Sequence, residues 1–253
     1  MRSVFTSVRR VPIVLAIQAL AGLGLVAFAL PSSAATTSIP PHPAWQSSDP
    51  FGTWQTGRYD VYNNEWNTKV AGPQTIWADS HSHWGVESTQ SDTTEVKVYP
   101  SVQSNFSGNG LPITNIKAMQ SWFAESMPSV RDFDAEAAYD LWFNNYDIEV
   151  MVWLDNHGQR PAGNIIARTK IFGQKFAVWQ GGPDQYSFTL TGKRETRGRV
   201  HLLSAVRWLV NHGHMSASDT LTQADFGFEI ASTDGKPMDF TVTRYSLTTV
   251  RKG

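Results

Sequence analysis

The sequence predicts an antiparallel β-sandwich with one helix packed against it. Stretches in which apolar and polar residues alternate recur along the chain, separated by turn residues, which is typical of strands with one buried face. Clear examples are residues 94–99, 175–179, 186–190 and 240–245. Residues 201–210 instead have helical spacing. Many short strands and a single helix favour two packed sheets.

Local signals support these elements in turn. The helix is predicted because its apolar residues fall on one face: Leu202, Leu203, Val206, Leu209 and Val210. Gly213 suits the left-handed position after the helix end. The turn residues 181–184 predict a hairpin between the strands on either side. Residues 144–146 are predicted to form a second, tight hairpin.

The first 35 residues are predicted to be a signal peptide. Arg2, Arg9 and Arg10 precede an apolar run over residues 11–30, and residues 33–35 are small, as export peptidases require. The alternative is an uncleaved membrane anchor, because the apolar run is long for a signal peptide. We expect cleavage, a secreted protein and no membrane association afterwards.

Residues 36–50 are rich in Pro, Ser and Thr and predict a flexible leader, followed by one large domain over residues 51–253. Of 21 lysines and arginines, three lie in the signal peptide, and there are 22 acidic residues, so the mature chain is weakly acidic. Nucleic acid and anionic membranes are therefore poor partners. The absence of cysteine excludes disulfides and a thiolate nucleophile.

The stretch 147–155 reads as a strand with two different faces. Ile148, Val150, Val152 and Leu154 would point to the core, while the other face carries a carboxylate, a thioether and an indole: Glu149, Met151 and Trp153. An unpaired carboxylate is costly to bury among apolar groups. A face of this composition is typical of a binding surface.

A second acid lies in a similar strand, residues 225–231. Period two places Phe226, Phe228 and Ile230 towards the core and Glu229 on the other face, between Gly227 and Ala231, whose small size would leave room for a substrate. Two such acids suggest acid–base chemistry on a neutral substrate, of which glycoside hydrolysis is the standard case. The alternative is that each glutamate faces solvent.

Metal chemistry is not indicated. His81 and His83 are close in sequence, but no third ligand accompanies them. Because two carboxylates supply all the proton and covalent chemistry of glycoside hydrolysis, we expect no cofactor and no metal.

Four stretches together resemble glycoside hydrolase family 12, small endoglucanases with a β-jelly-roll fold. They occur in family order and span most of the mature chain: Asn63-Asn-Glu-Trp66, Ala138-Tyr-Asp-Leu-Trp142, Glu149-Val-Met-Val-Trp-Leu154 and Phe226-Gly-Phe-Glu-Ile-Ala-Ser-Thr233. The resemblance implies a jelly-roll sandwich of two antiparallel sheets with a concave substrate cleft and one packed helix.

The resemblance also implies a retaining mechanism. Glu149 would be the nucleophile and Glu229 the acid/base, about 5–5.5 Å apart, and Asp140 would assist the nucleophile. Substrate-binding positions would be Asn64, Trp66, Met151, Trp153 and Pro161. Two alternatives stay open: Asp140 as an ordinary strand-end acid, and Trp66 as a core residue.

The predicted function is a secreted, monomeric endo-β-1,4-glucanase, or cellulase, that cuts internal bonds of a β-glucan polysaccharide with retention. The short turn between Asp140 and Glu149 departs from the family and should lower one rim of the cleft, so xyloglucan or mixed-linkage glucan is an alternative substrate. Residues 76–94 also match the family poorly. A non-catalytic, lectin-like carbohydrate-binding protein is the alternative from another class.

Overall fold

The computed structural model describes residues 39–106 and 108–253. The predicted signal peptide and the first residues of the predicted leader lie outside this range. One helix, α1 (Leu203–Asn211), and one 3-10 turn (Ile113–Asn115) occur among the strands described. The strands are β1 (Trp45–Ser47), β2 (Thr53–Thr56), β3 (Tyr59–Tyr62), β4 (Gln74–Ser80), β5 (His83–Ser88), β6 (Ser101–Asn105), β7 (Leu111–Pro112), β8 (Ile116–Ser126), β9 (Asp134–Phe143), β10 (Ile148–His157), β11 (Asn164–Ile171), β12 (Gln174–Gly182), β13 (Gln185–Leu190), β14 (Arg197–Val200), β15 (Thr220–Ser232) and β16 (Met238–Arg251).

These strands form two sheets. The first has the order β1-β4-β5-β16-β8-β14, and the second has the order β11-β12-β13-β10-β9-β15-β6-β3-β2, with β7 also paired to β15. The pairing of β10 with β13 is parallel, whereas the other ladders between the described strands are antiparallel. The predicted sandwich is therefore confirmed, with one parallel pair that the sequence did not indicate.

The core lies between the two sheets and is built from the predicted inward faces. The four apolar residues of β10 are all buried there, as are Phe226, Phe228 and Ile230 of β15. Trp84 of β5 meets Phe228 edge-on at 5.8 Å between ring centres, so the two sheets touch through aromatic rings. Burying each such side chain contributes about 1.5–3 kcal/mol.

The helix and both hairpins agree with the sequence. Helix α1 buries Leu203, Val206 and Leu209, and Trp208 packs edge-on against Phe188 of β13. Gly213 has φ 76°, the left-handed conformation predicted after the helix. The strands β12 and β13 pair around residues 181–184 as predicted. No helix in the described part of the chain is long and apolar enough to cross a membrane.

The turn between β9 and β10 is as tight as the spacing indicated. Asn144, Asn145 and Tyr146 all adopt positive φ angles, of 53°, 57° and 74°. Asn144 is held by its neighbours, because its side-chain oxygen accepts a hydrogen bond from the Thr220 amide at 2.9 Å. Asparagine tolerates this conformation better than most residues, which accounts for its use here.

The strand predicted over residues 94–99 is wrong. Only Val98 makes an isolated bridge, to Ile230, and the regular strand β6 begins at Ser101. The reason is Lys97, whose side chain is fully buried instead of facing water. Its ammonium donates to Thr93 Oγ1 at 2.6 Å and to three carbonyl oxygens, those of Ser91, Glu95 and Ala231. These contacts hold the segment in a loop.

Regular structure is present inside the segment predicted as a flexible leader, residues 36–50. Residues 45–47 form β1 at the edge of the first sheet, paired with β4 through Trp45 opposite Ala78. Trp45 also stacks on Trp54 at 6.3 Å. Part of the segment predicted as a flexible leader therefore belongs to the folded domain.

Candidate active site

A cavity of about 640 Å³ lies on the face of the second sheet that points away from the core. Its walls come from the sheet and from the loop after β10. All eight residues singled out from the sequence line it: Asn64, Trp66, Asp140, Glu149, Met151, Trp153, Pro161 and Glu229. The alternative in which Glu149 and Glu229 sit on an open solvent face does not hold.

The floor of the cavity comes from β10. Met151 and Trp153 are each only 4% exposed and form, with Ala138 of β9, an apolar cluster separate from the main core. The Trp153 indole N–H donates to the Met151 sulfur at 3.4 Å. Glu149, two residues before Met151, is half-buried at the same face. The alternation in the sequence therefore predicted this surface correctly.

Strand β9 separates the two glutamates. In its pairing with β10, Asp140 lies opposite Met151, and in its pairing with β15 it lies opposite Asp225. Glu149 pairs with β9 at a position on one side of Asp140, and Glu229 pairs with β9 at a position on the other side. The two glutamates therefore reach the same cavity from opposite flanks of Asp140, which suits a substrate held between them.

The electrostatics of Glu149 follow from burial and its neighbours. Burial raises its pKa to about 7, a hydrogen bond from the Gln185 amide opposes this shift, and the charge of Glu229 adds to it. Gln185 is within reach because β13 runs parallel beside β10, so that it lies opposite Glu149. The carboxyl is thus poised between its two protonation states near neutral pH.

The other two predicted acids also favour the protonated form. Burial raises the pKa of Glu229 above its ordinary value. Burial raises the pKa of Asp140 well above its ordinary value, and the charges of Glu149 and Asp225 raise it further. Asp140 therefore favours the protonated form, and its Oδ1 is buried without a hydrogen-bond partner among the described residues. This fits an assisting role better than that of an ordinary exposed acid.

Asp225 is a cavity acid that our sequence interpretation missed. It is 2% exposed, its Oδ2 accepts a hydrogen bond from Gln223 at 2.7 Å, and its Oδ1 has no partner. Gln223 in turn accepts a hydrogen bond from the Tyr146 hydroxyl. The signal was present, because Asp225 and Glu229 are four residues apart on one strand and so share a face.

Aromatic residues stand at the edges of the cavity. Trp66 is 51% exposed and lines it, so the alternative that Trp66 belongs to the core is wrong. Asn64 lines it beside Trp66, with φ 44°. The residue before Asn64 and the residue between Asn64 and Trp66 point inward: the Asn63 amide donates to Glu65 at 2.8 Å, and both are buried. This alternation presents the indole to the cavity.

The loop after β10 forms another part of the wall. Gln159, Arg160, Pro161 and Ala162 all line the cavity. The guanidinium of Arg160 lies 5.3 Å from the centre of the Trp179 ring. Arg160 is the only lysine or arginine that lines the cavity in the described residues. The site is therefore acidic, with one cation at its edge.

The interpretation of Gly227 as room for a substrate needs revision. The space beside Gly227 is not open to a substrate, because a Cβ there would lie 2.1 Å from the carbonyl oxygen of Pro100. The glycine is required by this backbone contact. Residues 76–94 belong to the first sheet and its connections, and none of them lines the cavity.

The histidine pair is divided between different contacts. His81 stacks on Tyr59 at 4.2 Å, and His83 lies beside Asp79 at 2.9 Å. Among the described residues there is no group of three or more His, Cys, Asp or Glu side chains placed to hold a metal.

Comparison with protein families now decides the relationship. The sequence model described as glycosyl hydrolase family 12 matches residues 57–250, which is well over half of the chain. The protein belongs to glycosyl hydrolase family 12. The resemblance inferred from the four motifs is thereby confirmed.

Relatives within the family differ in activity. The chain is 26% identical over 230 residues to endoglucanase S of Pectobacterium parmentieri, covering 75% of this chain and 82% of that protein. It is 28% identical over 217 residues to the inactive glycoside hydrolase XLP1 of Phytophthora nicotianae, covering 76% and 87%. Membership in family 12 therefore does not by itself establish catalysis.

Solved structures share the fold. The xyloglucanase domain of NopAA from Sinorhizobium fredii, in complex with cellobiose, matches with a TM-score of 0.75 and 25% identity, over 83% of this chain and all of that one. A family 12 xyloglucanase from Bacillus licheniformis matches with a TM-score of 0.69 and 24% identity, over 82% and 100%. The predicted jelly-roll fold is confirmed.

Proposed function

We propose that this protein is a retaining endo-β-1,4-glucanase. The observation that carries the proposal is the pair Glu149 and Glu229, two carboxyls with raised pKa values that enter one cavity from strands on either side of β9. A binding protein has no need of two such acids, whereas glycoside hydrolysis requires one ionised and one protonated carboxyl.

In the first step the Glu149 carboxylate attacks the anomeric carbon and forms a glycosyl ester. The carboxyl proton of Glu229 passes to the glycosidic oxygen, so the sugar on that side leaves as an alcohol. Asp140, protonated beside Glu149, holds the nucleophile in place by hydrogen bonding. Gln185 donates to the same carboxylate and keeps its second oxygen oriented.

In the second step water replaces the ester. The Glu229 carboxylate takes a proton from the water as the water attacks the anomeric carbon, and Glu149 leaves as a carboxylate. Two displacements at one carbon retain its configuration. The charge of Glu149 disappears on ester formation, which lowers the proton affinity of Glu229 when it must act as a base.

The cavity suits a β-1,4-glucan chain. The exposed indole of Trp66 offers a flat surface for a pyranose ring, and Met151 with Trp153 gives an apolar floor beside Glu149. The turn at residues 144–146 is tight and contributes Tyr146 to the cavity lining, and we expect its shortness to give a low rim on that side. A low rim would tolerate side branches, so xyloglucan or mixed-linkage glucan is the alternative substrate.

Binding without hydrolysis is the second candidate function. It is favoured by the relationship to XLP1, which is named an inactive glycoside hydrolase. Such a protein would bind a sugar in the same cavity without hydrolysing it, as a lectin binds its ligand. Trp66 would stack on the sugar ring. We also infer that the protein is secreted, since the N-terminal sequence has the pattern of a signal peptide. A monomer is our further proposal for its oligomeric state.

A substrate panel tests the proposal. Purified protein would be incubated with carboxymethyl cellulose, xyloglucan and barley β-glucan, with release of reducing ends as the measurement. We expect hydrolysis of at least one, with a β-configured product in NMR spectra recorded before mutarotation. An α-configured product would rule out the covalent route. Binding of a glucan without any chain scission would favour the lectin-like function.

A further inference from the structure

Behind Glu229 lies a second carboxyl that the mechanism above does not use. Glu136 of β9 is the direct register partner of Glu229 on β15. It is fully buried and does not line the cavity. A glutamate with no exposed surface is rare unless it is paired, so its position requires a physical explanation.

Neither oxygen of Glu136 receives a hydrogen bond from any N–H or O–H donor among the described residues. Asn156 lies opposite it on β10, but the Asn156 amide donates to the Gln159 carbonyl at 2.8 Å and its oxygen accepts from the Gln159 amide at 3.1 Å. The ammonium of Lys97 is likewise occupied by four oxygens of its own loop and of Ala231. Within residues 39–106 and 108–253, no cation forms an ion pair with Glu136.

An ionised carboxylate in this position would cost several kcal/mol, because nothing replaces the water it loses. Glu136 therefore keeps its proton at neutral pH. Burial raises its pKa well above the ordinary value, and the neighbouring charge of Glu229 raises it further. A protonated carboxyl is a hydrogen-bond donor, and the acceptor opposite it is Glu229.

We propose that Glu136 is a positioning residue that donates its carboxyl hydrogen to Glu229 and so fixes the orientation and acidity of that side chain. The inference rests on the proposed role of Glu229 as the acid/base. No proton changes owner in this contact. The hydrogen bond strengthens as Glu229 ionises, which favours release of its proton to the leaving oxygen and stabilises the carboxylate that next activates water.

Other titratable groups surround the pair and are common to every variant compared below. They are Asp140 of β9, Glu149 of β10, Asp225 of β15, and Tyr99 and Lys97 of the segment before β6. Because these groups stay unchanged, a shift between variants reports the loss of Glu136.

The test is a titration of Glu229 by NMR in protein labelled with ¹³C at the glutamate side-chain carboxyls, with the signal assigned through Glu229→Gln. In Glu136→Leu the donor is lost, and the midpoint of Glu229 should rise by on the order of one pH unit. In Glu136→Gln the amide still donates, so the Glu229 midpoint should stay within about 0.3 unit of the wild-type value.

The matched control is Glu125→Leu, which removes another buried glutamate whose oxygens lack hydrogen-bond partners, on β8 of the other sheet. It should leave the Glu229 midpoint unchanged. An unchanged midpoint in a folded Glu136→Leu protein would overturn the proposal. If that variant does not fold, Glu136→Ala takes its place: a raised Glu229 midpoint supports the proposal, and an unchanged midpoint overturns it.

Kinetics supply a second readout that a purely structural role would not move. The basic limb of the pH profile of kcat/KM reports the group that must be protonated in the free enzyme. It should move to higher pH in Glu136→Leu, with kcat lowered about 10- to 100-fold, and return in Glu136→Gln. Should the wild-type protein hydrolyse no glucan, the proposed function fails, yet the titration still decides whether Glu136 donates to Glu229.

Discussion

The buried acids of this protein differ in whether a basic side chain pairs with them. Asp155, at the far end of β10, is fully buried, and the guanidinium of Arg194 binds both of its oxygens. On the same strand Glu149 faces the cavity with no lysine or arginine within ion-pair distance, and the same holds for Asp140 and Glu229 among the described residues.

This difference distinguishes an acid that stabilises the fold from the acids of the proposed active site. The Asp155 carboxylate is neutralised by a cation, whereas the carboxyls of the cavity are left beside one another. Burial and mutual repulsion thereby raise the pKa values of the cavity acids above their ordinary range. Their mutual repulsion costs stability, which is the usual condition of an active site.

The largest expected effect comes from removing the nucleophile. Glu149→Ala should lower turnover on all glycosides by at least about 10⁴-fold, because no other group can form the ester. The measurement is the initial rate on the best substrate of the panel. Circular dichroism and the melting temperature should stay close to wild type, with the isosteric Glu149→Gln as control. A variant that keeps a tenth of its activity would remove Glu149 from the proposed role.

The second effect depends on the leaving group. Glu229→Ala should lower hydrolysis of glucan by about 10²–10⁴-fold, since an alcohol leaves poorly without a proton. On an aryl glycoside with an acidic phenol the first step should be largely spared, which appears as a burst of phenol followed by slow turnover. Equal losses on both substrates would contradict the division of roles between Glu149 and Glu229.

The third prediction concerns the structural acid. Arg194→Met leaves Asp155 buried without its cation and should destabilise the fold by about 2 kcal/mol, at the lower end for such pairs because the guanidinium is half exposed. Urea unfolding would measure it. The rate per folded molecule should not change, and a selective loss of activity would break the distinction between the two groups.

The smallest effect is a change in pH dependence. Burial and the nearby charge of Asp155 raise the pKa of Glu125 from 4.5 to about 9. Its contribution to stability is therefore fully present below pH 4.5 and is lost as the pH rises towards about 9. Glu125→Gln stays neutral, so it should be more stable than wild type at pH 8 and similar to wild type at pH 4. Urea midpoints at the two pH values compare them, and a parallel shift at both would contradict the sign.

Much of the site was predictable because strands encode their faces locally. Period two alone indicated which residues of 147–155 and 225–231 face away from the core, and the structure agrees. The same rule would have found Asp225 and Trp142, which share a face with Glu229 and Asp140 respectively. The register between Glu136 and Glu229 was not predictable, since pairing of β9 with β15 joins residues about ninety positions apart.

The sequence predictions that were wrong or incomplete failed because of contacts between residues distant in sequence. Residues 94–99 alternate like a strand, but the contacts of the Lys97 ammonium outweigh that propensity. Gln185 reached Glu149 through a parallel pairing of β10 with β13, which no local pattern reveals. Gly227 was interpreted as space for a substrate, whereas the space is filled by backbone from another strand.

Lys97 also offers a way to measure local opening of the loop that surrounds it. Its nitrogen is enclosed by four oxygens, one of which belongs to Ala231, two residues beyond Glu229. Amine-acylating reagents should therefore modify the exposed lysines within minutes and Lys97 last of all, because the loop must first open. The rate of that slow acylation, followed by mass spectrometry, would measure how often the loop opens next to the strand that carries Glu229.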